Sequence, residues 1–200
     1  MSSAFRKDVA VSATKRLLEV ATELIAEKGP DGFTLREAAR RAGVSHATPG
    51  FLFGDLRGLI TQVAVGGFTR FAEVMEEAER RDLPVLNRLL AVGEAYVAFA
   101  RREPHVFRLM MSDVNLNRSN PAFEEVNGRS YGPLYRQMQL LYDVHTDTPE
   151  FIARVTLAWS TVHGLARLIL DGPLRDEFAD DSKLPTIIGA LGPSLLAPLA

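Results

Sequence analysis

Few side chains of this 200-residue chain are spaced as a reacting site would need them. The histidines, His46, His105, His145 and His163, are scattered and never take the spacing of a metal site. There is no cysteine, which excludes disulfides, thiolate metal ligands and a cysteine nucleophile. Asp113, Asn115 and Asn117 alternate as calcium ligands do, but the loop lacks the glycine and distal glutamate of an EF-hand. His163 and Asp171 suggest an acid–base pair, yet no nucleophile accompanies them. A glycine-rich phosphate loop and a nucleophile elbow are both missing. No catalytic residue, metal or cofactor is expected, and the chemistry that remains is recognition.

Residues suited to recognition crowd into Gly32–Ile60. Thr34-Leu35-Arg36-Glu37 is a capping-box pattern that opens a short helix, which Gly43 ends. Ser45 offers an N-cap for a second short helix, ending near Phe53-Gly54. Ala38 and Ala39 are small enough for close helix crossing, and Val44 is placed to plug the angle between the helices. A helix-turn-helix is built this way, the second helix entering the major groove N-terminus first. An ordinary helical hairpin with a glycine turn has the same local pattern. On the first reading Ser45, His46, Ala47, Thr48 and Phe51 face the groove, Ala47 and Thr48 being suited to thymine methyls and His46 to a base edge or phosphate. Thr34 and Arg36 would hold phosphate at the start of the first helix, with Arg40, Arg41 and Arg57 as further phosphate candidates.

The rest of the chain reads as helices punctuated by glycine and proline, with scarce strand signals. A helix is expected from about Ser12 to Lys28, stopped by Gly29-Pro30, and a long one from about Asp55 to Arg81. Others run from Pro84 to Arg102, briefly from Pro104, and from Pro121 to Tyr142, where Gly132-Pro133 is a potential break. Thr148-Pro149-Glu150 combines an N-cap, an N1 proline and an early acid for a helix to Leu170. A last helix occupies Leu184 to Leu199, with Gly192-Pro193 expected to kink or shorten it. The fold class is all-α, with a helix-turn-helix domain over residues 1–58 and a helical bundle over 59–200.

Composition is that of an ordinary globular protein, 46% apolar and 24% charged. No apolar run approaches the roughly 18–20 residues needed to cross a bilayer. The first eleven residues carry Arg6, Lys7 and Asp8 without a signal-peptide pattern, so a cytoplasmic location is expected. The net charge of −2 conceals an asymmetry: residues 1–58 hold nine Lys or Arg against seven Asp or Glu, the remainder 14 against 18. A phosphate-binding head on an acidic body has this distribution.

The order of apolar helix, Gly32-Phe33-Thr34, Glu37-Ala38-Ala39, Ala42-Gly43-Val44-Ser45, a short helix ending in Phe53 and then a long helix resembles the N-terminal domain of TetR-family regulators. The likeness spans about residues 12–68. Ala95 to Ala100, Glu103-Pro104 and Phe107 to Met110 resemble a widespread C-terminal type of that family, and Trp159-x3-His163-Gly164 resembles the signature of its WHG type. The resemblance implies a homodimeric transcriptional regulator, expected to be a repressor, that binds a palindromic double-stranded operator and responds to a small apolar effector. It further implies dimerisation through the last two long helices, here Thr156–Leu170 and Ile187–Leu199, with Ala158, Thr161, Leu165, Leu168, Ile188, Leu191 and Leu195 at the interface.

The recognition helix departs from the family pattern. Where Ala-Pro-Tyr-Arg-His-Phe is common, this chain has Thr48-Pro49-Gly50-Phe51-Leu52-Phe53, and the usual lysine of the fourth helix aligns with Leu56. Loss of these phosphate contacts would lower the salt-dependent share of affinity. The alternative is a dimer of this fold that binds a ligand or protein and no longer binds specific DNA. In the body, Phe99, Phe107, Met110, Met111, Trp159 and His163 are the candidate effector-binding residues, because aromatic and Met side chains can line an adaptable apolar cavity.

Overall fold

The computed structural model describes residues 3–112, 116–143, 148–178 and 182–196, with side chains from residue 10 to residue 193 of these. Among them are nine helices and no strand: α1 Ser3–Lys28, α2 Leu35–Ala42, α3 Thr48–Phe53, α4 Leu56–Glu79, α5 Val85–Arg102, α6 Pro104–Met110, α7 Pro121–Tyr142, α8 Pro149–Asp171 and α9 Leu184–Leu196. They form two compact units, one of Met1–Phe68 and His105–Glu125, the other of Thr69–Pro104 and Val126–Ala200.

In the first unit α1 packs on α2, and α3 packs on both. α1 buries Leu17, Ala21, Leu24 and Ile25, one side of a 3.6-residue repeat. It begins at Ser3, earlier than the Ser12 the apolar pattern suggests. Gly29, at φ +78°, ends it, and its N–H donates to the Ile25 carbonyl at 2.9 Å. α4 brings Leu59, Val63 and Phe68 to this core, and α6 brings Val106, Phe107 and Met110. Gly67 is required where α6 approaches: a Cβ there would lie 2.5 Å from Val106 Cγ1 and 2.8 Å from Met110 Sδ.

In the second unit α5 is central, packing on α8 and α9. Thr148 caps α8 through its hydroxyl, which accepts from the Phe151 N–H at 3.2 Å, with Pro149 in the first turn. α7 is unbroken through Gly132-Pro133. A proline inside a helix costs about 3 kcal/mol, but Pro133 is buried in the row Val126, Ser130, Gln137 and Met138, so packing offsets the lost hydrogen bond. α9 likewise continues through Pro193 to Leu196 and is not cut short at Gly192. The buried Gln137 is fully engaged: it accepts from Arg88 Nε at 3.0 Å and donates to Glu79 at 2.9 Å, and Arg136 holds the Glu79 carboxyl below its ordinary range.

Candidate nucleic-acid interface and effector cavity

Thr34 sits in extended conformation ahead of α2, and its Oγ1 accepts from the Glu37 N–H at 3.2 Å. Only half of the expected capping box forms, since the Glu37 carboxylate takes Lys28 Nζ at 2.7 Å, a charged donor being the stronger partner. Hydrogen bonding to Lys28 holds the Glu37 carboxyl below its usual value. Arg41 binds both Glu27 carboxylate oxygens at 2.7 Å, pinning α2 to α1. Ala38 and Ala39 are wholly buried, so the helices cross closely. Gly43, at φ +67°, turns the chain: its N–H donates to the Arg40 carbonyl and that of Val44 to the Ala39 carbonyl.

α3 is made differently. Its cap position is Ala47, not the expected Ser45, and no side chain caps it. Ser45 instead forms the preceding turn, its carbonyl accepting from the Thr48 N–H at 3.0 Å and its hydroxyl 2.7 Å from the Thr48 hydroxyl. Pro49 is the one buried side chain of the helix. Ser45, His46, Ala47 and Gly50 are exposed, and Phe51 is 87% exposed. A Cβ on Gly50 would meet nothing within 4 Å, so a side chain there would project into open space.

The basic candidates separate. Arg36 and Arg40 are exposed, with no side-chain partner among the described residues. Arg41 is tied to Glu27. The Arg57 guanidinium donates to the Leu116 carbonyl at 3.0 Å, next to the Thr61 hydroxyl that accepts the Asn117 N–H at 3.0 Å. The sequence carries no local signal of that tie, because its partners lie more than fifty residues away. Asp113 and Asn115 fall outside the described residues, as does His145.

The second candidate site lies wholly in the second unit. α5, α7, α8, α9 and the end of α4 enclose a cavity of about 40 Å³. Its wall is apolar apart from Tyr96, Ser130, Tyr131, Trp159 and Thr161, and it holds no charged side chain. Ser130 donates to the Asn127 carbonyl and Thr161 to the Leu157 carbonyl, so both hydroxyls are engaged within their own helices. The Tyr96 hydroxyl is 2.8 Å from His163 Nδ1. Burial raises the Tyr96 phenol well above its ordinary value, and burial, assisted by the Arg167 charge, lowers His163, so both are neutral near pH 7.

Of the expected effector residues, Trp159 lines the cavity. Phe99 stands behind it, its ring 5.1 Å from Phe71, and His163 reaches it through Tyr96. Phe107, Met110 and Met111 belong to the first unit, where Phe107 and Met110 are core. The suggested His163–Asp171 pair does not form, Asp171 being ion-paired with Arg167 at 3.1 Å. Tyr96 and Tyr131 line the cavity and are not among the expected effector residues, although the one-turn spacing of Trp159 and His163 pointed toward the same wall.

Residues 17–48 match the model for bacterial regulatory proteins of the tetR family. Residues 89–184 match the model for the tetracyclin repressor-like C-terminal domain, and that description does not name the WHG type. Among solved structures, a protein of unknown function from Rhodococcus sp. RHA1 superposes with a TM-score of 0.72 at 26% identity, over 92% of this chain and 93% of its own. A putative tetR family transcription regulator from Shewanella sp. PV-4 gives 0.69 at 17% identity, over 90% and 95%. FadR from Bacillus subtilis, in complex with stearoyl-CoA, gives 0.70 at 15% identity, over 93% and 99%. The last two likenesses speak to fold alone. No curated protein matches the chain in sequence. With a helix-turn-helix and a helical body each matching a model of one family, the chain belongs to the TetR family of bacterial transcriptional regulators.

Proposed function

We propose that this regulator is a repressor that binds a palindromic operator as a homodimer and answers to a small apolar effector held in the cavity of the second unit. Residues 1–58 serve as the DNA-binding head, and 59–200 as the effector and dimerisation body. The observation that carries the reading is the turn at Gly43, beyond which Ser45, His46 and Ala47 stand exposed ahead of the second helix of the motif and Phe51 stands exposed on it. Thr48 and Ala47 are suited to thymine methyls, His46 to a base edge, and Thr34 and Arg36 to the backbone, which Arg57 reaches only by releasing the Leu116 carbonyl. Half-sites would lie about one helical turn, or a multiple of it, apart.

Dimerisation is supported by the outward side of α8, where Leu157 and Leu168 are exposed among Thr156, Ser160 and Gly164. Ala158, Leu165 and Ile188 are buried within the protomer itself, so the proposed interface rests on the other positions. An apolar effector suits the uncharged cavity wall, and the structurally similar FadR holds stearoyl-CoA. An effector that binds one state of the dimer more tightly shifts the population toward it, and so controls operator occupancy.

A second reading is favoured by Gly50, Phe51 and the tied Arg57: a dimer of this fold that binds a ligand or protein and no specific DNA. Selection from a random duplex library at low salt, using the purified protein, separates the two. Enrichment of a palindromic motif is the expected outcome, and enrichment of no motif establishes the second reading. Arg36 and Arg40 are the exposed cations of α2, four for a dimer, and should contribute about −4 to the slope of log K against log salt.

A further inference from the structure

We infer that Phe51 reads the operator through the 5-methyl group of thymine, so that α3 selects its bases by apolar contact and not by hydrogen bonds. The inference rests on the helix-turn-helix binding duplex DNA, and it names the base feature that its contact helix takes.

Phe51 is 87% exposed, the most exposed large apolar side chain among the described residues and the only aromatic one so placed. Its exposure does not come from a loose fit of α3, which is anchored by the buried Pro49 and the half-buried Leu52 and Phe53. These three hold the helix while Phe51 is left in solvent. The Phe51 N–H donates to the Ala47 carbonyl at 3.0 Å, so the ring and the exposed Ala47 methyl lie one turn apart on the same side. Between them Gly50 has no side chain, and a Cβ there would meet nothing within 4 Å. The ring can therefore be approached closely from that side.

The major groove offers a phenyl ring one apolar feature, the thymine methyl; the other base edges there present donors or acceptors. A ring laid against those edges would strip water from them and return no hydrogen bond. The residue types that read such edges best are missing, since Thr48–Phe53 holds no Lys, Arg, Asn or Gln. The Ser45 and Thr48 hydroxyls, 2.7 Å apart, are bonded to each other, which leaves the exposed His46 beside them as a polar reader. A protein partner fits this surface less well. The exposed apolar strip is Ala47, Gly50 and Phe51, far less than the roughly 800 Å² that each side of a stable protein interface buries. It also continues from the turn at Gly43 that presents the contact helix.

The test uses the full-length protein and the duplex that selection enriches, with each thymine replaced in turn by uracil, which lacks only the methyl. Where the ring lies, uracil should weaken binding about three- to fivefold for each methyl covered. Phe51→Ala should bind the thymine and uracil duplexes equally at those positions, with an unchanged urea midpoint because the ring is exposed in the folded protein. If the alanine variant binds too weakly to compare, Phe51→Leu decides, since a smaller apolar side chain should reduce the uracil penalty at the same positions.

A motif without thymine, or a uracil penalty that the variants share at every position, overturns the role of Phe51 and leaves the DNA-binding reading intact. A change of oligomeric state in Phe51→Ala, with the uracil penalty kept, overturns it in favour of contact between copies. Enrichment of no motif overturns the DNA-binding reading, and this inference with it.

Discussion

In the first unit Ser45, His46 and Ala47 stand outward just before α3, and Phe51 stands outward on it, a six-residue helix that buries little beyond Pro49. In the second, Tyr96, Ser130 and Thr161 line an apolar cavity with their hydroxyls already bonded. The frame of the first site is finished: α2 is capped by Thr34, closed by Gly43 and clamped by Arg41 on Glu27. Its contact helix is left to a partner, since α3 has neither a capping side chain nor a full apolar side. The second site has no such division, because the residues that build its wall are the ones a ligand would touch. A change at the first site should therefore affect either stability or recognition, whereas a change at the second should affect both.

The largest effect is expected from Ala39→Leu, which overfills the buried side of α2. It should lower unfolding stability by about 2–3 kcal/mol, as measured by urea denaturation. An unchanged midpoint would mean that the crossing is looser than two wholly buried alanines imply.

Thr48→Ala comes next and tests recognition without the frame. It removes the methyl and hydroxyl from the contact helix and the 2.7 Å contact with Ser45. Specific operator binding should weaken by about tenfold, with the urea midpoint shifted by less than about 0.5 kcal/mol. Unaltered specific binding would displace the recognition helix from α3.

Gly50→Ala has the opposite sign. With open space around the new methyl and no positive φ to strain, α3 should gain about 0.5–1 kcal/mol of helix propensity. A loss of stability would show that α3 needs the freedom of glycine, and the contrast between its two surroundings would fail.

The smallest effect concerns the cavity. Burial holds the folded-state pKa of His163 below its ordinary value of 6.5, so the folded protein binds this proton less readily than the unfolded chain does. The contribution is complete above the unfolded value and is lost as the pH falls below it. Melting temperature should decline between about pH 7 and about pH 5, and His163→Gln, which can still bond Tyr96, should flatten that decline. An identical decline in both proteins would assign it to other groups.

Legibility in the sequence followed the same divide. The frame around α2 was readable because Thr34, Gly43 and the Thr148-Pro149 start of α8 act on backbone groups within four residues of themselves. The potential break at Pro133 does not occur, and α9 continues past Gly192-Pro193 to Leu196, for the complementary reason. Local propensity gives each proline its direction, but burial of α7 against its neighbours outweighs it. Arg57 read as a phosphate contact, yet its guanidinium is taken by a carbonyl fifty-nine positions on. Phe107 and Met110 had the right chemistry for an effector site and became core of the other unit, since residue type carries no record of which side of a helix finds a partner.

From the residues alone come the all-helical class, the turn at Gly43, a contact helix without Lys or Arg, and the family. Each depends on groups close together in the chain, where backbone geometry and capping are decided within one or two turns. The cavity, the Tyr96–His163 contact and the capture of Arg57 were decided only by tertiary structure. A cavity is the space that packing fails to fill, and its walls come from residues up to about 120 positions apart, from Phe71 to Gly192.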